Sequence, residues 1–510
     1  MPRERTHVRT AYVSLWLPLA SETFIYYEAE ALYDRGFPVS GFSLYGPCGK
    51  DLGPRLRRGR LPVEPLGAAS FFRICAAVLR GIITKPRVSV GICRDIVFRR
   101  RRDAEQQLEN TWAALCGFYL AERCEALNIG HLHAAWACGP ATAAWTASRL
   151  TGIPFSMNCL AGDIRPPDGA LAEKLQAAVF ARVDASHNLP YLAQFDPAGA
   201  AAGKHLLIYN VCTLPSERTA EAPMRPPLRL LAVGRLVETK GFQYAVEALK
   251  ILLDGGLEAE LTVAGSGPWE RKLKQQARAS GVEARTHFPG FVAHDDLPEL
   301  LLAADVFLMP CCLTKAGGKG DGLPTVIMEA LSHGLPVIST PVSGVGDVIR
   351  HGETGLLVPE RDADALADAV RALASDRLGA LRMATRGRAL VKEMFDTDAN
   401  LKRLAALFDA SRAQQGNTEQ LDNCIKSCRG SAPDPAGGND FPRTPSSECR
   451  ETVGFISSHV DLPGKFAATK LSHEDKSTGC IACRAEGISD KAESEPGDLR
   501  CAHRAQGPPS

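Results

Sequence analysis

Two carboxylates eight positions apart, Asp321 and Glu329, bracket the stretch DGLPTVIME, directly after a loose Gly- and Lys-rich run, KAGGKG (315–320). Pro324 suits the first position of a helix and Gly334 the residue just past its end, so a helix is predicted over 324–333. Val326, Ile327, Ala330 and Leu331 form its apolar stripe, which leaves Glu329 fixed on the other flank. The backbone at Gly322, Leu323, Thr325 and Val326 lies around the helix start, where the dipole contributes about half a positive charge. A negatively charged or hydroxyl-rich ligand suits that position. Upstream, in VGRLVETKG, Gly234 ends a short apolar run, Arg235 and Lys240 follow, and Gly241 opens the next periodic segment. An arginine fork beside a lysine point charge suits a diphosphate. AGSGP (264–268), with Gly267 in it, and FPGF (288–291) add glycine turns that let a backbone approach a ligand. The Asp321/Glu329 pair also fits the acid and nucleophile of a glycoside hydrolase. A glutamate inside a helix, with cations aimed at phosphate, argues against that reading.

Something must position these residues. From Leu228 onward, LRLLAVG, AELTVAG, ADVFLMP and PVIST each precede a longer helical pattern, and AYVSLWL, HLHAAW, PFSM and LLIY do so before Tyr209. Short apolar runs alternating with periodic segments spell βαβ units and parallel sheets. The expected architecture is α/β, two Rossmann-like domains facing across a cleft. The expected boundaries are 1–212, a Pro-rich linker at 213–227, 228–395, a closing helix within 396–414, and a tail at 415–510. Two such domains place a ligand crevice at the strand C-terminal ends.

The net charge of +1 excludes a polyanion binder held by overall charge, and no run of aromatics among the basic residues marks a nucleic-acid module. Residues 1–110 nevertheless carry 18 Lys and Arg against 11 Asp and Glu, including RLRRGR (55–60) and FRRRR (98–102). Within that region Phe71, Phe72, Cys75, Val78, Leu79, Ile82 and Ile83 form a broad apolar helical face flanked by arginines. Either it is a core helix, or 55–102 forms an amphipathic patch for peripheral contact with an anionic membrane. Arg73 and Arg80 interrupt this segment, which therefore does not read as a membrane span, and AYVSLWL reads as a first strand as readily as a leader. Ten of the 16 cysteines are spread over the first 312 residues in mostly apolar surroundings, the usage of a reducing compartment. The tail loses apolar periodicity and reads as disordered; Cys480 and Cys483 have zinc-ligand spacing, but Cys501 and His503 do not and nothing around them could pack, so an inert tail is expected over a zinc site.

GRLVETKG, GSGP, PGFV, ADVFLMP and DGLPTVIMEALSHGLPVISTPVSGVGDVIRHGETGLLVP, in that order, resemble the C-terminal domain of the retaining glycosyltransferases of family four, which have the GT-B fold. LPLASETFIYYEAEAL (17–32) resembles the opening of their colanic-acid and amylovoran exopolysaccharide subgroup. The resemblance covers about 10–412. It implies transfer of a hexose with retention from a nucleotide diphosphate-sugar (UDP or GDP, unresolved) to a saccharide or lipid-linked saccharide, without metal or other cofactor. The acceptor would belong to exopolysaccharide or lipopolysaccharide synthesis, on the cytoplasmic side of the plasma membrane. A catalytically weak nucleotide-sugar-binding protein of the same fold is the alternative.

Carried onto this sequence, Arg235, Lys240 and Asp321 would be catalytic. Gly234, Gly267, Gly322, Leu323, Pro324, Thr325, Val326 and Glu329 would bind the donor, with Glu329 on the ribose. The family's first acid is usually Glu, and here it is Asp321. Family members often carry a His where NCLAGD (158–163) has Leu160, although Asp163 is kept. Asp163, His133 in HLHAAW, and Ser21, Glu22 and Thr23 in SETF are the acceptor or cleft candidates in the first half. Ser21 also suits a helix N-cap and His133 a satisfied structural histidine.

Overall fold

The computed structural model describes residues 7–20, 22–46, 52, 54–97, 99, 104–211, 224–314 and 322–413. The expected linker falls largely outside them and the tail at 415–510 wholly so, as do Ser21, Asp321 and the KAGGKG run.

Strands β1 (Thr10–Trp16), β2 (Val39–Gly46), β3 (Val63–Pro65), β4 (His131–Ala134), β5 (Phe155–Asn158), β6 (Ala181–Val183) and β7 (His205–Leu207) form one sheet. A second contains β8 (Leu228–Val233), β9 (Ala259–Ala264), β10 (Thr286–Gly290), β11 (Val306–Met309), β12 (Val337–Ser339) and β13 (Leu356–Leu357). Every pairing is parallel. The orders are β3-β2-β1-β4-β5-β6-β7 and β10-β9-β8-β11-β12-β13. Helices on both faces explain why β1 and β11 are almost entirely buried and read as continuous apolar runs. In each sheet the order reverses beside the first strand, between β1 and β4 and between β8 and β11. The turns after β1 and β8 therefore open at the switch points where ligands bind in such folds.

The last described helix, Thr397–Ala413, returns to the first domain. Its Leu401, Leu404, Leu407 and Phe408 complete a core with Tyr12, Ile25, Leu32 and Phe180. Asp409 accepts from the Val8 amide at 2.7 Å, and Ser411 Oγ lies 2.7 Å from His131 Nδ1. The eight described cysteines form no disulfides with one another. No helix among the described residues is long and apolar enough to cross a membrane.

Candidate active site

The turn after β8 is built by close backbone approach. Gly241 takes a left-handed φ of 69°, and a Cβ there would lie 1.7 Å from the Pro310 carbonyl oxygen. Gly265 runs so close to β8 that a Cβ would sit 1.9 Å from the Gly234 oxygen; at Gly267 it would sit 2.5 Å from the Leu236 oxygen. The amides of Gly234 and Leu236 donate to Ala264 and Ser266 at 3.0 and 2.9 Å, zipping the two glycine loops together. Lys240, at the end of a single 3₁₀ turn, lays its stem over Gly234, with Cε 3.4 Å from where a Cβ would be. Arg235 follows Gly234 directly. Both cations are half-buried at the strand end.

The site helix runs Thr325–Ser332, with Pro324 at the N-cap, one position earlier than its predicted helical role; its extended ψ of 114° keeps it out of the helix. Gly334 ends it in the left-handed conformation. Gly322 brings the helix start against the first domain: a Cβ there would lie 3.4 Å from the Leu160 oxygen and 3.5 Å from Asp184 Oδ2. Leu323 and Val326 are buried and Thr325 half-buried. Glu329 is 9% exposed, and its Oε1 lies 2.9 Å from His294 Nε2. That hydrogen bond raises the His294 pKa against the opposing effect of burial. His294 in turn packs on the Tyr27 ring of the first domain, centroids 5.4 Å apart, and Arg55 Cζ lies over the same ring, 4.1 Å from its centroid. A cavity of ≈ 20 Å³ remains between Glu329, His294, Thr325, Thr23, Phe24 and Asn210. A roomier cavity, ≈ 510 Å³, shares Tyr27 and Val211 with it and is lined by mixed charge, Glu30, Asp34, Asp396 and Asp398 with Arg35, Arg55 and Lys392.

Across the cleft the first domain presents acids. Glu22 is the N-cap residue of the helix Thr23–Asp34, yet its carboxylate turns away from the helix and accepts from Trp136 Nε1 at 3.1 Å. Burial pushes its pKa up to about 7, against the pull of Trp136 and of the Arg235 charge. The Arg235 charge is thus felt at Glu22, and Glu329 and Thr23 line one cavity beside the start of that first-domain helix. Asp163 accepts from the amides of Ala137, Leu160 and Ala161 at 2.8–3.1 Å, holding its loop together. Burial still raises its pKa. Asp184, at the end of β6, is pushed up to about 7 by burial; Asn210 donates to its Oδ2 at 3.2 Å, and Oδ1 has no partner among the described residues.

His133 does not face this cleft. It is fully buried beneath the sheet, with Nδ1 2.8 Å from Ser156 Oγ, its ring 5.1 Å from Phe408 of the closing helix. His131 shares the same Ser156 hydroxyl at 2.7 Å. Burial lowers both pKa values, that of His131 to about 3, so both are neutral and structural. Sequence reasoning missed His294, Asn210 and Asp184. Only His294 carried a signal, since it follows the FPGF turn at a strand end.

Residues 217–390 match the family model of the glycosyl transferases group 1. The chain carries a group 1 glycosyltransferase domain. Its loops are those just described, from Gly234 to the site helix. WcaL of Escherichia coli strain K12, named for colanic acid biosynthesis, is 36% identical over 198 residues, covering 38% of this chain and 48% of WcaL. The amylovoran biosynthesis glycosyltransferase AmsK of Erwinia amylovora is 36% identical over 186 residues, 36% of this chain and 46% of AmsK. The chain spans about half the length of the curated relatives it matches. The crystal structure of Anabaena Alr3699/HepE with UDP-glucose aligns with a TM-score of 0.58 at 17% identity, over 78% of this chain and 98% of that one. The group 1 domain thus sits in a GT-B fold, two Rossmann-like parallel-sheet domains.

Proposed function

We propose that the protein is a retaining glycosyltransferase that moves a hexose from a nucleotide diphosphate-sugar to a saccharide or lipid-linked saccharide during exopolysaccharide or lipopolysaccharide assembly, at the inner face of the plasma membrane. The observation that carries this reading is the cavity that Glu329, Thr325 and His294 share with Thr23 of the first domain, together with Lys240 packed over Gly234 at the end of β8. Glu329 accepts hydrogen bonds from the nucleotide ribose; a carboxylate has lone pairs for both that contact and His294. Arg235 and Lys240 hold the diphosphate and neutralise it as the glycosidic bond breaks, so charge developing on the leaving group meets fixed cations. The departing phosphate oxygen takes the acceptor proton on the face it leaves. No metal is needed in this scheme. Asp321, outside the described residues, would contact the donor sugar.

The name of AmsK and the complex of HepE with UDP-glucose support a polysaccharide product and a nucleotide-sugar donor, without fixing the base. A thermal-shift panel of nucleotide diphosphates and nucleotide sugars tests the reading: stabilisation by one base class, with turnover lost in Lys240→Ala, is the expected result. The buried, non-ionisable Leu160 favours a second reading, a nucleotide-sugar-binding protein with weak catalysis. Tight donor binding without turnover across a broad acceptor screen would select it.

A further inference from the structure

We propose that the surface helix Phe71–Thr84, continued by Pro86–Ile92, seats the protein on an anionic lipid bilayer. Only one side of this helix reaches the core, through Ile74 and Ala77. The opposite side is just as apolar and faces solvent: Phe71, Phe72, Leu79, Ile82 and Ile83 are 49%, 86%, 60%, 46% and 68% exposed, and Val90 of the following helix is 68% exposed. A surface helix of a globular domain ordinarily carries polar residues there. The core-helix expectation for this face therefore fails.

The outward face is fixed by how the helix is held. Arg80 forks onto Glu122 with two contacts of 2.7 Å, Lys85 Nζ reaches the Leu150 oxygen at 2.5 Å, and Gly81 lies so close to Phe118 that a Cβ would approach within 2.6 Å. Residues 71–92 contain four basic side chains, Arg73, Arg80, Lys85 and Arg87, and no acidic one. Arg73 and Arg87 are exposed and have no acidic partner among the described residues. Apolar residues that enter the acyl boundary, beside arginines that reach lipid phosphates, make an interfacial helix.

A second copy of the chain fits less well. A two-fold interface brings the same patch against itself, and this patch offers exposed arginines and no acid to answer them. Anionic headgroups supply that charge. The surface belongs to the first domain and stands apart from the donor-binding loops, so it is independent of the catalytic reading.

The test is co-sedimentation of the full chain with vesicles of phosphatidylglycerol and phosphatidylethanolamine, and with phosphatidylcholine alone. The full chain is expected to pellet with the first and far less with the second. The triple variant Phe72→Ser, Leu79→Ser, Ile83→Ser should keep its melting temperature and lose binding at least about tenfold. Arg73→Glu with Arg87→Glu should weaken binding to the anionic vesicles by about fivefold or more per position, and leave phosphatidylcholine unchanged. The proposal is overturned if the full chain stays in solution with both vesicles, or if the triple variant binds as well as the parent. It is equally overturned if sedimentation equilibrium shows a dimer that the triple substitution dissolves while vesicle binding is absent.

Discussion

At the strand ends of the second domain the chain places close-packed glycines and two cations, whereas those of the first domain carry buried or half-buried carboxylates. Glu22, Asp163 and Asp184 all have pKa values raised by burial, and Asp184 keeps an oxygen without a partner. The difference teaches how such a cleft divides its labour. On the proposed reading, side chains are removed and positive charge is fixed where the donor's anion would lie, whereas Glu22 and Asp184, both pushed up to about 7, stand near the balance of their two protonation states.

The largest effect is expected from disturbing the glycine side. Gly265→Ala drives a methyl into the Gly234 carbonyl, a backbone atom that cannot rotate aside. A loss of about 3 kcal/mol or more is expected, read as a melting temperature about 10 °C lower. An unchanged melting curve would mean that the two loops are not zipped together. Next comes Lys240→Ala, which leaves the fold intact and removes one charge-assisted contact. At about 1.5–3 kcal/mol it should lower nucleotide-sugar turnover by roughly 10- to 150-fold. Asp163→Asn, made as the control on the other lip, should act first on stability, because Asp163 accepts three backbone amides.

The two sides also differ in how far the sequence disclosed them. The second domain's ends were legible because glycine punctuates its loops and the relevant contacts, Gly234 with Gly265 or Lys240 with Gly234, join consecutive βα units. In the first domain, His131 and His133 sit on a strand, and alternation alone does not say which face meets the closing helix 280 residues later. Asp184 is a lone acid after a three-residue strand, and the Gly322 backbone of the other domain comes so near that a Cβ there would lie 3.5 Å from its Oδ2. The helix Phe71–Thr84 has two apolar faces, and periodicity cannot choose which one docks. Long-range pairing decides each of these cases, and it leaves no local mark.

A smaller effect, in stability against pH, sharpens the acid side. With a folded pKa of about 7 against an unfolded value near 4, Asp184 binds its proton more tightly in the folded state. Its contribution is therefore greatest at low pH and declines as pH rises from about 4 to 7. His131 acts oppositely: lowered to about 3, it costs stability as pH falls below about 6.5. The two slopes oppose each other in the parent protein, beside a slope of Asp184's sign from Glu22 and one of His131's sign from His133. Asp184→Asn should uncover the histidine slope, so that stability rises with pH between about 4 and 6.5 by up to ~1.4 kcal/mol per pH unit more than in the parent. Urea titrations at three pH values would measure it, and parallel profiles for the two proteins would show that Asp184 is not held as a buried acid.

The smallest effect concerns the His294–Glu329 pair of the second domain, which packs beside Tyr27 of the first. Glu329 raises the His294 pKa, so the pair stabilises the fold fully below the unfolded histidine value near 6.5 and loses that contribution as pH passes the raised value. Glu329→Gln removes the charge but keeps an acceptor, so about 1 kcal/mol or less of stability should disappear at pH 6 and almost none at pH 9. The same change should weaken nucleotide binding at both pH values, because the ribose contact depends on the carboxylate and not on the histidine's proton. If binding instead followed the histidine titration, Glu329 would be a partner of His294 alone, and the second domain would keep its cations without its sugar anchor.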